Sequence, residues 1–249
     1  MIAFDHAVII VSSLRQAVRQ FEELGFRVTL GGRTGPVHNA LVIFQDGTYL
    51  ELTTTRHAAM RAAFRALSSV GLLHRIARAR DDMLGRFLPW LGAAAGPVDW
   101  CIRVDDLASA MQELRHSGMD VIEPQAFERT RPDGQVARWW LGGPRDARLP
   151  FFIEDQTPVE VRVPNVEGAF HPNGAAGIRT LELPSPILRD VEAMLGVLAE
   201  DREKPGTLTN VGLSVSSSPG PFGLRILGAN DPIDLDPRKT FRTRIRLVR

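Results

Sequence analysis

An internal repeat constrains this chain more than any other feature. An offset of 93 residues lays Asp99 on His6, Ile102 on Ile9, Val104 on Val11 and Leu107 on Leu14. The same offset carries Ala17 onto Ala110, Phe21 onto Leu114, Gly25 onto Gly118 and Val28 onto Val121. Recurrence of this kind marks one supersecondary unit used twice, each copy covering apolar surface the other cannot bury alone.

In the first copy, residues 4–11, FDHAVIIV, form a β-rich apolar run, and Ser12 or Ser13 offers a helix N-cap. Leu14, Ala17, Val18, Phe21 and Leu24 follow at helical spacing, and Gly25 stops the helix. FRVTL and HNALVIFQ read as strands, Asp46-Gly47 as a hairpin turn, and TYLELTT as the return strand. The order is β-α-β-β-β. The second copy needs a longer loop, VARWWLGGPRDARLPFFIED, and its last strand sets Phe152-Ile153-Glu154 against Tyr49-Leu50-Glu51. Both modules are thus expected to end in a strand carrying a glutamate. A looser third echo starts near Gly177, with GIRTLELPSP as a strand, ILRDVEAMLGVLAE as a helix, and TNVGLSVSSS and PFGLRILGA as strands. The expected divisions are modules at 1–55 and 97–158, a helical insertion at 56–96 broken near Gly71 and Pro89, and a partial third module at 170–249.

Composition narrows the function. Thirty Lys and Arg against 29 Asp and Glu leave a net charge of +1, which argues against a nucleic-acid partner. One cysteine, Cys101, excludes an internal disulfide framework; in an apolar strand with no base nearby in sequence, it reads as structural. Asp5 and His6 interrupt the amino-terminal apolar run, unlike a secretory signal, and no stretch is long enough to span a membrane, so a cytoplasmic, non-membrane protein is expected.

Strand alternation puts His6 on one face with Val8 and Ile10, and Tyr49, Glu51 and Thr53 on one face of the return strand. If both modules curl around one cavity, His6, Glu51, Asp99 and Glu154 can converge as a divalent-metal site. A core histidine bonded to backbone is the plain alternative for His6, and local backbone capping the plain alternative for Asp99. Asn39, beside His38, suits either a substrate oxygen or the glycine loop of Gly31, Gly32 and Gly35. Trp139 and Trp140 face opposite sides of their strand, one for the core and one for the cavity wall. The arginine-rich insertion suits either recruitment of an anionic substrate or a solvated helical face.

FDHAVIIVSSL, LGF, HNALVIF followed by GTYLEL, PFFIED and the later HPNG together resemble bacterial glyoxalase-like proteins of the vicinal oxygen chelate superfamily. The resemblance spans nearly the whole chain. It implies an α+β fold of tandem βαβββ modules forming an incomplete barrel, with a metal held by the first and last strands of each module and chelated by neighbouring substrate oxygens. His6, Glu51 and Glu154 fall on the matching positions, while Asp99 departs from the His or Gln of many metal-using relatives. Such an oxygen-rich set favours Mn²⁺ or Mg²⁺, with Fe²⁺, Ni²⁺ or Zn²⁺ as alternatives. The implied function is a metal-dependent lyase or isomerase acting on a small carbonyl substrate, with Glu154 moving the proton. His38, Asn39, Trp139, Trp140, and His171 and Asn173 of the HPNG turn would contact the substrate. The competing reading is a non-catalytic binder of a metabolite or drug, and a homodimer is compatible with either.

Overall fold

The computed structural model describes residues 1–34, 36–131, 134–164, 169–199, 207–216, 220–228 and 231–249. The first module runs β1 (Ile2–Ile10), α1 (Leu14–Glu23), β2 (Thr29–Thr34), β3 (Val37–Ile43) and β4 (Tyr49–Thr55). The second runs β5 (Gly96–Val104), α5 (Leu107–His116), β6 (Val121–Thr130), β7 (Val136–Pro144) and β8 (Phe151–Asp155). Helices α1 and α5 stand 93 residues apart at both ends. Each has an N-cap side chain: Ser13 accepts from Gln16 N, and Asp106 from Ser109 N.

Eight strands form one curled sheet in the order β2-β3-β4-β1-β5-β8-β7-β6. In each module the first strand lies parallel to the last, β1 beside β4 and β5 beside β8, and the modules join where β1 and β5 run antiparallel. This is the expected α+β incomplete barrel. At the join His6 faces Cys101 and Val8 faces Asp99, pairs that the 93-residue offset exchanges. A twofold-like axis therefore passes between these strands.

Each central strand is interrupted once. The register slips between Phe4 and His6 and between Val8 and Ile9, which makes Asp5 and Val98 the extra residues of equivalent bulges. Thus β1 does not alternate strictly. The bulge brings Asp5 and its neighbour His6 into direct contact on one side of the sheet.

The insertion contains three helices, α2 (Ala58–Ser69), α3 (Leu72–Arg78) and α4 (Met83–Gly92). The first break falls at Gly71, whose φ of 73° suits glycine. The second does not fall at Pro89, which lies inside α4; it falls before Asp82, whose carboxylate accepts from Gly85 N and starts a new helix. Strand β2 also begins later than FRVTL, at Thr29, and takes in Gly31 and Gly32 rather than leaving them in a loop. After the short helix α6 (Val159–Arg162), residues 177–248 build β9 (Gly177–Leu183), α7 (Ser185–Val197), β10 (Gly212–Val215), β11 (Gly223–Leu227), β12 (Ile233–Asp234) and β13 (Arg244–Val248).

These strands form a second sheet, β10-β9-β11-β13-β12, with parallel, antiparallel, parallel and antiparallel joins. The run β4-β1-β5-β8-β7 has the same sequence of joins. Thus the carboxy-terminal part is a pared-down echo of both modules. One core cluster unites Phe4, Ile9, Ile102 and Phe152 of the large sheet with Phe21 of α1, Met111 of α5, and Leu181, Val191 and Ile245 of the second part. The opposite, concave face is left for the insertion and a cavity.

Candidate functional site

A cavity of about 430 Å³ lies between the concave sheet face and the insertion. Its apolar wall includes Phe64, Leu84, Phe87 and Trp90 from the insertion, and Phe127, Trp139, Phe151 and Ile153 from the second module. Its polar wall is mostly first-module: His6, His38, Asn39, Glu51 and Thr53, joined by Arg61, Arg129 and Arg162.

His6 and Glu51 meet here, with Nε2 and Oε2 3.6 Å apart. Behind His6, its Nδ1 lies 2.7 Å from Asp5 Oδ1, and Tyr49 stacks on the imidazole at 4.5 Å between ring centroids. Burial alone would raise the Asp5 carboxyl, but Arg162 and His6 outweigh it and hold Asp5 well below the usual carboxylate range. An ionised Asp5 accepts a hydrogen bond, so Nδ1 of the imidazole carries a proton and Nε2 is turned toward Glu51. Glu51 is fixed in turn by Asn39, whose Nδ2 donates to Oε1 at 2.8 Å. Asn39 Oδ1 accepts from Gly32 N at 2.9 Å, so its amide serves both the glycine segment and the site.

Arg162 organises the far side of this cluster. Its Nε and Nη2 bind Asp155 at 2.6 and 2.8 Å, Nη1 and Nη2 bind Asp5 at 3.1 and 3.0 Å, and Nη1 reaches Tyr49 Oη at 2.7 Å. All five guanidinium donors are used. Neither Arg162 nor Asp5 stands out in the sequence: α6 has four residues, and strict alternation would aim Asp5 away from His6.

The other expected residues are placed differently. Asp99 occupies the position equivalent to His6, but its carboxylate is gripped by Arg86 of α4 at 2.8 to 3.0 Å. Arg86 also donates to Pro144 O at 2.8 Å and to Leu149 O, pinning the insertion to the second module. Burial pushes the Asp99 carboxyl up to about 6 against the pull of Arg86. Glu154 lies on the convex face, where Oε2 accepts from Leu107 N at 2.8 Å and so caps α5. The alignment of Glu154 with Glu51 is off by three residues. Val8 pairs with Glu51 and its equivalent Cys101 pairs with Phe151, so Phe151 occupies the Glu51 position. An odd shift along a strand reverses the face.

Trp139 walls the cavity, whereas Trp140 sits opposite Glu154 and is 37% exposed rather than in the core. His38 lines the cavity. His171 and Asn173 do not; they tie the second part to the first module. His171 Nδ1 accepts from Arg27 N at 2.9 Å and Nε2 donates to Ile43 O at 3.0 Å, while Asn173 Nδ2 donates to Leu24 O at 2.9 Å. Cys101 is fully buried, with its thiol pushed well above the ordinary range by burial.

Residues 4–198 match the family model described as a glyoxalase-like domain. The chain belongs to that family. No curated protein matches it in sequence. Among solved structures, a hypothetical protein from Staphylococcus aureus is similar over 100% of this chain and 99% of its own, at 16% identity and a TM-score of 0.69. A methylmalonyl-CoA epimerase from Mycobacterium tuberculosis matches 63% of this chain and 89% of its own, at 16% identity and a TM-score of 0.38. Asp5, His6 and Cys101 form a candidate triad whose ligand atoms all lie within 4.8 Å of one another. However, Asp5 is committed to Arg162 and His6, and Cys101 is a buried thiol held protonated. In the frame of first and last strands, Asp99 is neutralised by Arg86 and the fourth position is Phe151. Among the described residues only His6 and Glu51 of these donors remain, fewer than the three protein ligands of a catalytic metal site.

Proposed function

We propose that this glyoxalase-like protein is an isomerase or lyase that moves a proton at a carbon beside a carbonyl group, with His6 and Glu51 as its acid–base pair. One observation carries the reading: Asp5 orients His6 so that Nε2 and a glutamate oxygen stand 3.6 Å apart in an otherwise largely apolar cavity. One group removes the proton, and the carbon–hydrogen electron pair moves toward the carbonyl, whose π electrons pass to its oxygen. The other group returns a proton to the resulting enolate. Arg129, which lines the same cavity and has a buried Nε without a hydrogen-bond partner, is the candidate partner for the developing oxyanion.

Incubation of the protein in D₂O with a panel of 2-hydroxy ketones, hydroxyaldehydes and 2-oxo acids, followed by proton NMR, tests this. Exchange of the proton beside the carbonyl is expected for at least one compound, with loss of about 10²- to 10⁴-fold in His6→Ala and Glu51→Gln. Full exchange in both variants would sink the assignment. The aromatic walls of Phe64, Phe87, Trp90 and Trp139 favour a second reading, a ligand-binding protein without turnover. That reading gains if a compound binds and is recovered unchanged without exchange.

A further inference from the structure

Arg61 is a cavity-lining cation that takes no part in the proposed proton transfer and, unlike Arg80 and Arg162, pairs with no carboxylate among the described residues. It lines the cavity from α2, is only 8% exposed, and its Nη2 is buried without a hydrogen-bond partner. Burial lowers its pKa, and the neighbouring Arg65 lowers it further. Guanidinium keeps its charge in proteins, so a buried one without a carboxylate partner is costly and calls for compensation.

The other charges around the cavity balance. Arg162 and Arg103 face Asp5 and Asp155, Arg86 faces Asp99, Arg80 pairs with Asp82, and Arg129 lies in the field of Glu51. Among the described residues, no carboxylate pairs with Arg61. The surplus is one positive charge beside a wall made of Phe64, Leu84, Phe87, Leu88, Trp90 and Leu91.

We infer that Arg61 is the anchor for a single negative charge on the ligand, and that the ligand of this cavity is a small monocarboxylate with an apolar body. The anchor comes from the insertion and the acid–base pair from the first module, so a bound carboxylate bridges the two. The inference names the substrate class of the proposed site and rests on that reading only for its chemistry, not for binding. It also gives the arginine of α2 a role distinct from its neighbours Arg56 and Arg65, which are exposed.

Calorimetry on the full-length protein with octanoate, its uncharged counterpart octanamide and the dianion octyl phosphate tests this directly. Octanoate should bind roughly tenfold to a hundredfold more tightly than octanamide, the margin of one charge-assisted contact. It should also bind more tightly than octyl phosphate. Arg61→Met should abolish the preference for octanoate while leaving octanamide affinity unchanged. The ligand-free variant should melt no lower than the native protein, since it loses a buried unpaired charge. Equal binding of octanoate and octanamide, no binding of either, tighter binding of octyl phosphate, or an undiminished preference in Arg61→Met would overturn the assignment. If Arg61→Met fails to fold, Arg61→Gln gives the same comparison. Carboxylate preference without deuterium exchange by any panel compound would uphold the anchor and remove the proton-transfer reading instead.

Discussion

Arg162 shows how one side chain holds a site that it does not itself operate. It answers Asp5, Asp155 and Tyr49 together, so Arg162→Met should leave Asp155 without its cation and Asp5 with only the longer contact to Arg103, and destabilise the fold by about 3 to 5 kcal/mol. Urea denaturation measures this, and a loss under 1 kcal/mol would mean that water or a rearranged Arg103 replaces it. His171 gives a pH signature. Burial is the largest cause of its depressed pKa, from an ordinary 6.5, and outweighs the hydrogen bond to Ile43 O, which favours the charged form. Above pH 6.5 the imidazole is uncharged in both states and its contribution is complete. Below that, the unfolded chain takes up the proton first, so stability is lost as pH falls toward the lower folded value. Melting temperature should decline from pH 7 to 5, and His171→Gln should flatten the decline; an unchanged slope would assign it to other groups.

Strand β1 owes its function to an irregularity. Asn210 flanks the bulge, its Oδ1 accepting from Phe4 N at 2.8 Å and its Nδ2 donating to Phe4 O at 2.9 Å. Asn210→Leu should therefore cost about 2 to 4 kcal/mol by stranding two backbone groups, and should slow exchange by freeing Asp5. Retained stability and exchange would show that the bulge stands without it. Strand β2 carries a similar dependence. A Cβ on Gly31 would lie 2.1 Å from Asn39 Oδ1, so Gly31→Ala must push Asn39 off Glu51. Loss of exchange with only about 1 to 3 kcal/mol of destabilisation is expected. Gly196→Ala in α7, where a Cβ meets nothing within 4 Å, is the control and should stabilise slightly.

At the scale of the molecule, the two modules have diverged around their twofold-like axis. One half keeps His6 and Glu51; the other replaces them with an Arg86-held Asp99 and with Phe151. Elemental analysis of the purified protein should accordingly show less than one equivalent of divalent metal, and titration with Mn²⁺ or Zn²⁺ should show no tight uptake. One tightly held equivalent would mean that Arg86 yields Asp99 to the ion. The repeat, the ends of α1 and α5 and the α+β class were legible in the sequence, because they depend on local periodicity and caps. The face shared by Glu51 and Asn39 was legible too, since alternation within the regular β3–β4 hairpin determines it. Three things were decided only in three dimensions. The bulge at Asp5 breaks alternation through pairing with a distant strand. A three-residue slip reverses Glu154, because register is set by neighbouring strands rather than by similarity of residues. Finally, Arg61 and Arg162 reach the cavity, and Arg86 reaches Asp99, from helices whose arginines look alike in sequence; which guanidinium is paired, and which is left for a ligand, depends on the carboxylates that folding brings alongside.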